Sequence, residues 1–293
     1  MMTQTELSIA SDKTLRERDS SIGGLLLESG KITPENAERV LRLQKELGIR
    51  FGEAAQRMGL IDETDVQHAL ARQFDYPYLR AGEGNCSPHL VAAYDPFSPQ
   101  VETLRAVRSQ LMLRWFTRGH KSLTIVGVDP GDGASLFAAN LAVVFSQLGE
   151  RTLLVDGNLR TPSQGAIFNV KGRQGLSDML AGRADLGVIH HVESFVDLSI
   201  LPAGTLPPNP QELLSRANFA SLNTQLESRF DVTLYDVAAS TRGLDVLVLA
   251  ARTGGVLIVA RKNRTHLGDI NALAEQVLQN GAHVVGSVLV DFK

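Results

Sequence analysis

The stretch VDPGDGASLFAANLA, Val128 to Ala142, decides the fold. An apolar run of strand length, SLTIVGV (122–128), leads into it, and Ser135 opens an apolar helical pattern, SLFAANLAVVFSQLG. Between strand and helix lie Gly131 and Gly133, which free the backbone to wrap an anion while the helix aims its N-terminus at the same point. Gly131, Asp132, Gly133, Ala134 and Ser135 are therefore the candidate nucleotide-binding loop, with Ser135 placed to meet a magnesium ion. Loops of this outline carry a lysine before the serine, and Ala134 stands there instead. Alanine cannot neutralise the terminal phosphates of a nucleotide during transfer. A tight turn between strand and helix, with no ligand, is the other reading of the same residues.

Downstream, apolar runs of strand length alternate with helical stretches. RTLLVDG, FVDLSILPAG, FDVTLYDV, GGVLIVAR and HVVGSVLVDF are the further candidate strands, and PQELLSRANFASLNTQLESRF and LGDINALAEQVLQNG are candidate helices. Continuous Val, Ile and Leu runs indicate strands covered on both faces, so an α/β fold with a doubly wound, mainly parallel sheet follows. Ligands on such sheets bind at the carboxyl ends of the strands. Two more loops fall there. Asp156 ends one strand, with Asn158 and Arg160 at two-residue steps beyond it, and Asp236 ends another. An acid at a strand end can also be a solvated loop residue.

The front of the chain repeats. SIGGLLLESGKITPENAERVLRLQ (21–44) and RFGEAAQRMGLIDETDVQHALARQ (50–73) align without gaps, sharing Gly23/Gly52, Gly30/Gly59, Ile32/Ile61, Leu41/Leu70 and Gln44/Gln73. Each copy reads as a short helix, a glycine C-cap (Gly30, Gly59) and a second helix started by Thr33-Pro34 or Asp62. The expected organisation is a polar leader over 1–20, a two-repeat helical domain over 21–80, a Gly/Pro/Ser-rich linker over 81–100, and the α/β domain over 101–293. VETLRAVRSQLMLRW reads as a helix with Val101, Leu104, Val107, Leu111 and Trp115 near one face. Its Glu102, Arg105 and Arg108 form a charged stripe, either solvated or an interface between subunits.

A net charge of −3 over 293 residues gives no reason to expect a nucleic-acid polymer as partner. One cysteine, Cys86, excludes an internal disulfide. The polar N-terminus lacks the apolar stretch of a signal peptide, and no apolar run approaches the ~20 residues a membrane span needs. A soluble cytoplasmic protein is the expectation.

Two resemblances sharpen these readings. The front copies follow R-L-G-x2-L-x3-G-x6-L-x3-L-x2-Q with a five-residue spacer, which resembles the cyclic di-GMP-binding N-terminal domain of type II secretion and type IV pilus ATPases. The resemblance implies a cyclic di-GMP site on Gly23, Leu26, Gly30, Leu41 and Gln44 from the first copy and Arg50, Gly52, Gly59, Leu70 and Gln73 from the second. Ser21 stands where the first copy should carry arginine, and Phe51, Ala55 and Val66 replace expected leucines. Losing one of two arginine clamps would cost ~1.5–3 kcal/mol of affinity.

Glu102, Arg105 and Arg108 match E-x2-R-x2-R, LLVDGNLR approaches h-h-h-D-x-D-x-R, and LPAGTLPPNPQELLSR (201–216) precedes a helix. Together with the glycine loop, these motifs resemble the P-loop bacterial tyrosine kinases over Val101 to Phe292. The joining of the two domains resembles the chain-length-determinant kinases of exopolysaccharide clusters. This implies Asp156, Asn158 and Asp236 as catalytic positions, Ser135, Asp156 and Asp236 around a magnesium ion, and Arg160 with the loop around ATP. It also implies a homo-oligomer built on the Glu102/Arg105/Arg108 helix and a membrane polysaccharide co-polymerase as partner, with the chain peripheral to the inner membrane.

The sequence departs from that family at each chemical step. Ala134 replaces lysine, Asn158 replaces a carboxylate that could act as base, and Val237-Ala238-Ala239 follows Asp236 where relatives carry proline. The tyrosines are Tyr76, Tyr78, Tyr94 and Tyr235, so the family's C-terminal autophosphorylation cluster is expected to be missing. Removing a charged group at a transferring phosphate costs ~3 kcal/mol or more of transition-state stabilisation. Two functions stay open: an active tyrosine kinase that borrows a cation such as Arg160 or Arg261, or a catalytically weak regulatory relative that reads cyclic di-GMP and holds ATP. A septum-site-type positioning ATPase is the third.

Overall fold

The computed structural model describes residues 21–74, 76–80 and 82–291, so the leader expected over 1–20 lies outside the described residues. The chain divides into two compact units between Pro77 and Tyr78.

Among the described residues the first unit holds four helices, α1 (Ile22–Glu28), α2 (Pro34–Leu47), α3 (Phe51–Arg57) and α4 (Glu63–Gln73), in the order the repeat predicts. Their starts follow local chemistry. Ser21 accepts from the Gly24 N–H, Thr33 from the Asn36 N–H, and Asp62 exchanges side-chain bonds with Asp65. Each such cap contributes about 1 kcal/mol. Gly30 and Gly59 take φ of +70° and +67° after α1 and α3, a conformation that favours glycine. The interior is small: Leu25, Leu26, Val40, Ala54 and Ala55 are buried together.

The second unit is built on a seven-stranded sheet: β1 (Ser122–Gly127), β2 (Thr152–Asp156), β3 (His190–His191), β4 (Leu198–Leu201), β5 (Val232–Asp236), β6 (Gly255–Arg261) and β7 (His283–Val290). The spatial order is β3-β4-β2-β5-β1-β6-β7, parallel except for the antiparallel edge strand β3. β1, β2 and β5 are buried along their whole length, as their unbroken apolar runs require. One face is covered by α5 (Val91–Tyr94), α6 (Pro99–Arg114) and α7 (Ala134–Ser146). The other carries α9 (Leu176–Leu180), α10 (Pro210–Leu214), α11 (Asn218–Arg229), α12 (Asp245–Thr253) and α13 (Leu267–Gln279). α7 is apolar on all sides because it lies between the sheet and α5/α6; every residue from Phe137 to Ser146 is buried.

The structure corrects two expectations and adds one strand. The segment expected as a linker over 81–100 is packed where it is described, over 82–100: Leu90, Ala92 and Ala93 are fully buried in the second unit. Asn140 of α7 and Gln147, which caps it, bind the Ala92 backbone N–H and C=O, and the Ser87 N–H donates to the Ile167 carbonyl. Composition reported only its turn-rich character. The helix expected over Pro210–Phe230 is two helices, α10 and α11, broken at Ser215–Ala217. β3, two histidines long, carries no strand pattern in sequence.

α6 presents Val101, Leu104, Leu111 and Trp115 to the core as expected. Its charged stripe is turned partly inward: Arg105 pairs with Glu102 and donates to the Pro96 carbonyl, and Arg108 donates to the Val144 carbonyl. Both arginines thus bind their own chain.

Candidate functional site

β2 and β5 lie side by side in register, Asp156 opposite Asp236, and β5 borders β1. Two carboxyls and the glycine loop after β1 thus converge at the carboxyl edge of the sheet. The loop has the backbone its glycines predict, with φ of +90° at Gly131 and +83° at Gly133, and α7 starts at Ala134. It borders a cavity of about 400 Å³ lined by Gly131, Gly133, Ala134, Ser135, Asn158 and Arg242 among others.

The acids are the electrostatic centre. Asp236 is wholly buried, accepting from Ser135 Oγ at 3.1 Å and from Gln164 Nε2 at 2.8 Å. Asp156 is 1% exposed and accepts the backbone N–H of Ser163, Gln164 and Asn158 at 3.0, 2.9 and 3.3 Å. No lysine or arginine among the described residues bonds to either. Burial raises Asp156 to about 6 against the pull of its three N–H donors, and burial plus the charge of Asp156 raises Asp236 to about 8. Gln164, on α8 (Gln164–Ile167), also donates to the Ser135 carbonyl, and its side-chain Oε1 is buried with no partner among the described residues.

The other expected site residues are used by the protein itself. Asp132 is buried and its Oδ2 accepts the Asp129 N–H, closing the loop, while Oδ1 has no partner among the described residues. Asn158 Oδ1 accepts the Thr161 N–H at 3.0 Å, a turn that fixes the loop after β2. Arg160 is not aimed at the cradle. Its fork grips Asp245 at 2.6 and 3.0 Å, and Asp245 is 1% exposed at the start of α12. Its guanidinium is engaged by Asp245 and does not line the cavity. Arg261 likewise donates to the Gly131 carbonyl at 3.1 Å, beside Arg264 on the Pro130 carbonyl at 2.8 Å, so both hold the loop's backbone. Gln164, Arg242 and Arg264 belong to no motif, so only the folded chain brings them here.

In the first unit the structure gives several expected ligand residues a packing role. A Cβ on Gly23 would meet the Phe51 ring at 3.2 Å, and one on Gly52 would meet Val66 at 3.2 Å. Close helix contact thus accounts for both glycines. Leu26 is buried at 1% exposure, Leu70 is half-buried, Gln44 is half-buried, and Leu41, Arg50 and Gln73 are exposed. Ser21 and Arg50 occupy the N-cap position in the two copies, but only Ser21 bonds the helix start.

No protein-family model matches the chain. Over 200 residues, 68% of this chain, it is 30% identical to the tyrosine-protein kinase wzc of Salmonella typhimurium. It spans 28% of that relative, about a quarter of the length of the curated relatives it matches first. Among solved structures, the chimerical protein CapA2B2 is 31% identical with a TM-score of 0.66, over 76% of this chain and 97% of that one. The kinase domain of the Escherichia coli tyrosine kinase ETK is 27% identical with a TM-score of 0.68, over 71% of this chain and 82% of that one.

Proposed function

The chain belongs to the family of P-loop bacterial tyrosine kinases, and from that premise we propose that it is a regulatory member with weak or no phosphotransfer. Its role on this reading is in exopolysaccharide synthesis and export: it holds a nucleotide in the second unit and responds to cyclic di-GMP through the first. The observation that carries the reading is a cradle with its shape kept and its lysine gone. Gly131 and Gly133 hold the left-handed turns and α7 begins at the loop, yet Ala134 supplies no charge. Asn158, where the family pattern has a carboxylate, cannot take a proton from an attacking hydroxyl and is tied to Thr161.

Magnesium fits the residues that remain. Two buried carboxyls in register, with the Ser135 hydroxyl beside them and no cationic side chain among the described residues bonded to them, suit an ion that arrives on nucleotide phosphates. When bound, the ion would neutralise charge on those phosphates. Asp236 and Asp156 would hold it, and Ser135 would turn its oxygen from Asp236 toward it. These retained acids favour one further reading, an active ATP-dependent tyrosine kinase controlling chain length.

Calorimetric titration of ATP with and without magnesium, beside a phosphotransfer assay, tests the proposal. Magnesium-dependent binding with no transfer above background is expected, and Ala134→Lys should tighten binding about tenfold, the worth of one charge-assisted hydrogen bond. Transfer at the rate of an active kinase would sink the regulatory reading.

A membrane polysaccharide co-polymerase of the chain-length-determinant type is the partner this reading assigns. No helix among the described residues is long and apolar enough to cross a membrane. For the first unit, cyclic di-GMP should bind the full chain and Arg50→Ala should weaken it about tenfold or more, since Arg50 is exposed and leaves its own helix uncapped. A flat titration of the unaltered chain would remove the sensor role.

A further inference from the structure

The cradle lacks a lysine, but the cavity does not lack a cation. Among the described residues lining it, Arg242 is the single arginine or lysine. It is exposed, and its guanidinium has no hydrogen bond or ion pair among the described residues. Its neighbours in charge are otherwise engaged: Arg160 with Asp245, Arg261 and Arg264 with the outer carbonyls of the loop.

The turn that carries Arg242 is fastened to the loop. Residues Ser240–Arg242 form a single 3-10 turn after β5. The Thr241 N–H donates to the Val128 carbonyl at 3.1 Å, and Ser240 Oγ reaches the same carbonyl at 3.2 Å. Thr241 Oγ1 lies within hydrogen-bond distance of that carbonyl and of Asp129 Oδ1, at 3.1 and 3.0 Å. The turn that carries Arg242 is thus fastened to the base of the loop, and Arg242 lines the cavity from a different element than α7.

Arg261 and Arg264 bring positive charge to the loop's carbonyls, but neither lines the cavity. Asp129 and Asp132 both belong to the loop and Ala134 adds nothing, so an anion seated there needs a counter-charge from elsewhere. A guanidinium offers a planar fork that takes two phosphate oxygens at once. We propose that Arg242 replaces the missing lysine: it binds the phosphate chain of a nucleoside polyphosphate held by the Gly131–Ser135 loop. The inference rests on the nucleotide-binding reading above. It deepens it by moving the essential cation from the start of α7 to the turn after β5.

The test is calorimetric titration of the full chain with MgATP, comparing the unaltered protein, Arg242→Gln, and Arg242→Gln combined with Ala134→Lys. Arg242→Gln should weaken binding about tenfold or more, the worth of one charged hydrogen bond. Its thermal unfolding without ligand should stay unchanged, since the side chain holds nothing in the free protein. Lysine at 134 in that background should restore affinity to within a few-fold of the unaltered chain. Equal affinity in Arg242→Gln and the unaltered protein, or a loss that lysine cannot restore, overturns the role of Arg242 alone. Absence of binding by the unaltered chain removes the nucleotide reading and this inference together.

Discussion

Alanine in place of Arg160 should destabilise the second unit by roughly 2–4 kcal/mol, toward the lower part of what breaking a buried ion pair costs because water reaches the arginine. The Arg160 fork closes on Asp245 at 2.6 and 3.0 Å, and Asp245 is 1% exposed at the first residue of α12. The helix N-terminus offsets part of that buried charge, but only a few tenths to about 1 kcal/mol. The remainder depends on the guanidinium. Removing both partners, as in Arg160→Ala with Asp245→Leu, should recover most of the loss, because the stranded charge is what costs energy rather than the missing attraction. Urea unfolding at neutral pH reads this directly through the midpoint. A midpoint unmoved in Arg160→Ala, together with a fall in ATP affinity, would return Arg160 to the nucleotide site and refute the structural role.

The second large effect is on pH. Asp156 and Asp236 are raised in the folded protein, Asp236 the further: burial raises both, and the charge of Asp156 raises Asp236 again. An acid raised above its unfolded value of about 4 holds its proton in the fold where the unfolded chain has released it. Its contribution to stability is therefore fully present below pH ~4 and is lost as pH rises toward about 8. At ~1.4 kcal/mol per pH unit per group, the free protein should lose a few kcal/mol between pH 5 and pH 8.5, or roughly 5–10 °C in melting temperature. Asp236→Asn should flatten that slope and raise stability at pH 8, since the amide keeps an acceptor for Ser135 or Gln164 and carries no charge. MgATP should act in the same direction in the unaltered protein. A melting temperature that rises from pH 5 to pH 8.5 would show that the pair does not share a buried environment.

The α/β fold was legible because its signals are local. Strands β1, β2, β4, β5, β6 and β7 each follow from an apolar run, and Gly131 and Gly133 take the positive φ their spacing predicts. The carboxylates were legible for the same reason: Asp156 and Asp236 end strands, and strand ends in a parallel sheet meet at one edge. What sequence could not show depends on separations of tens of residues. Arg160 finds Asp245 85 positions away, and Thr241 finds Val128 113 positions away. Neither contact leaves a periodic trace. The segment over 82–98 failed for a different reason. Its glycines, prolines and serines describe how the backbone bends, whereas its burial is decided by Asn140 and Gln147, on and at the cap of a helix some 50 residues downstream. In the first unit, Gly23 and Gly52 matched a ligand motif while serving a close approach of helices.

Side chains on neighbouring strands alternate between the two layers of the protein, so the pairing of Asp156 with Asp236 across β2 and β5 is a matter of parity. A slip of one residue between these strands would not lengthen the distance between the acids by a little. It would send one of them through the sheet into the opposite layer, among Leu and Val side chains with no Ser135 or Gln164 to meet it. The acid pair therefore has no graded intermediate between assembled and abolished. A bulge or insertion anywhere in β2 or β5 would silence it as completely as deleting a carboxyl, without touching either aspartate.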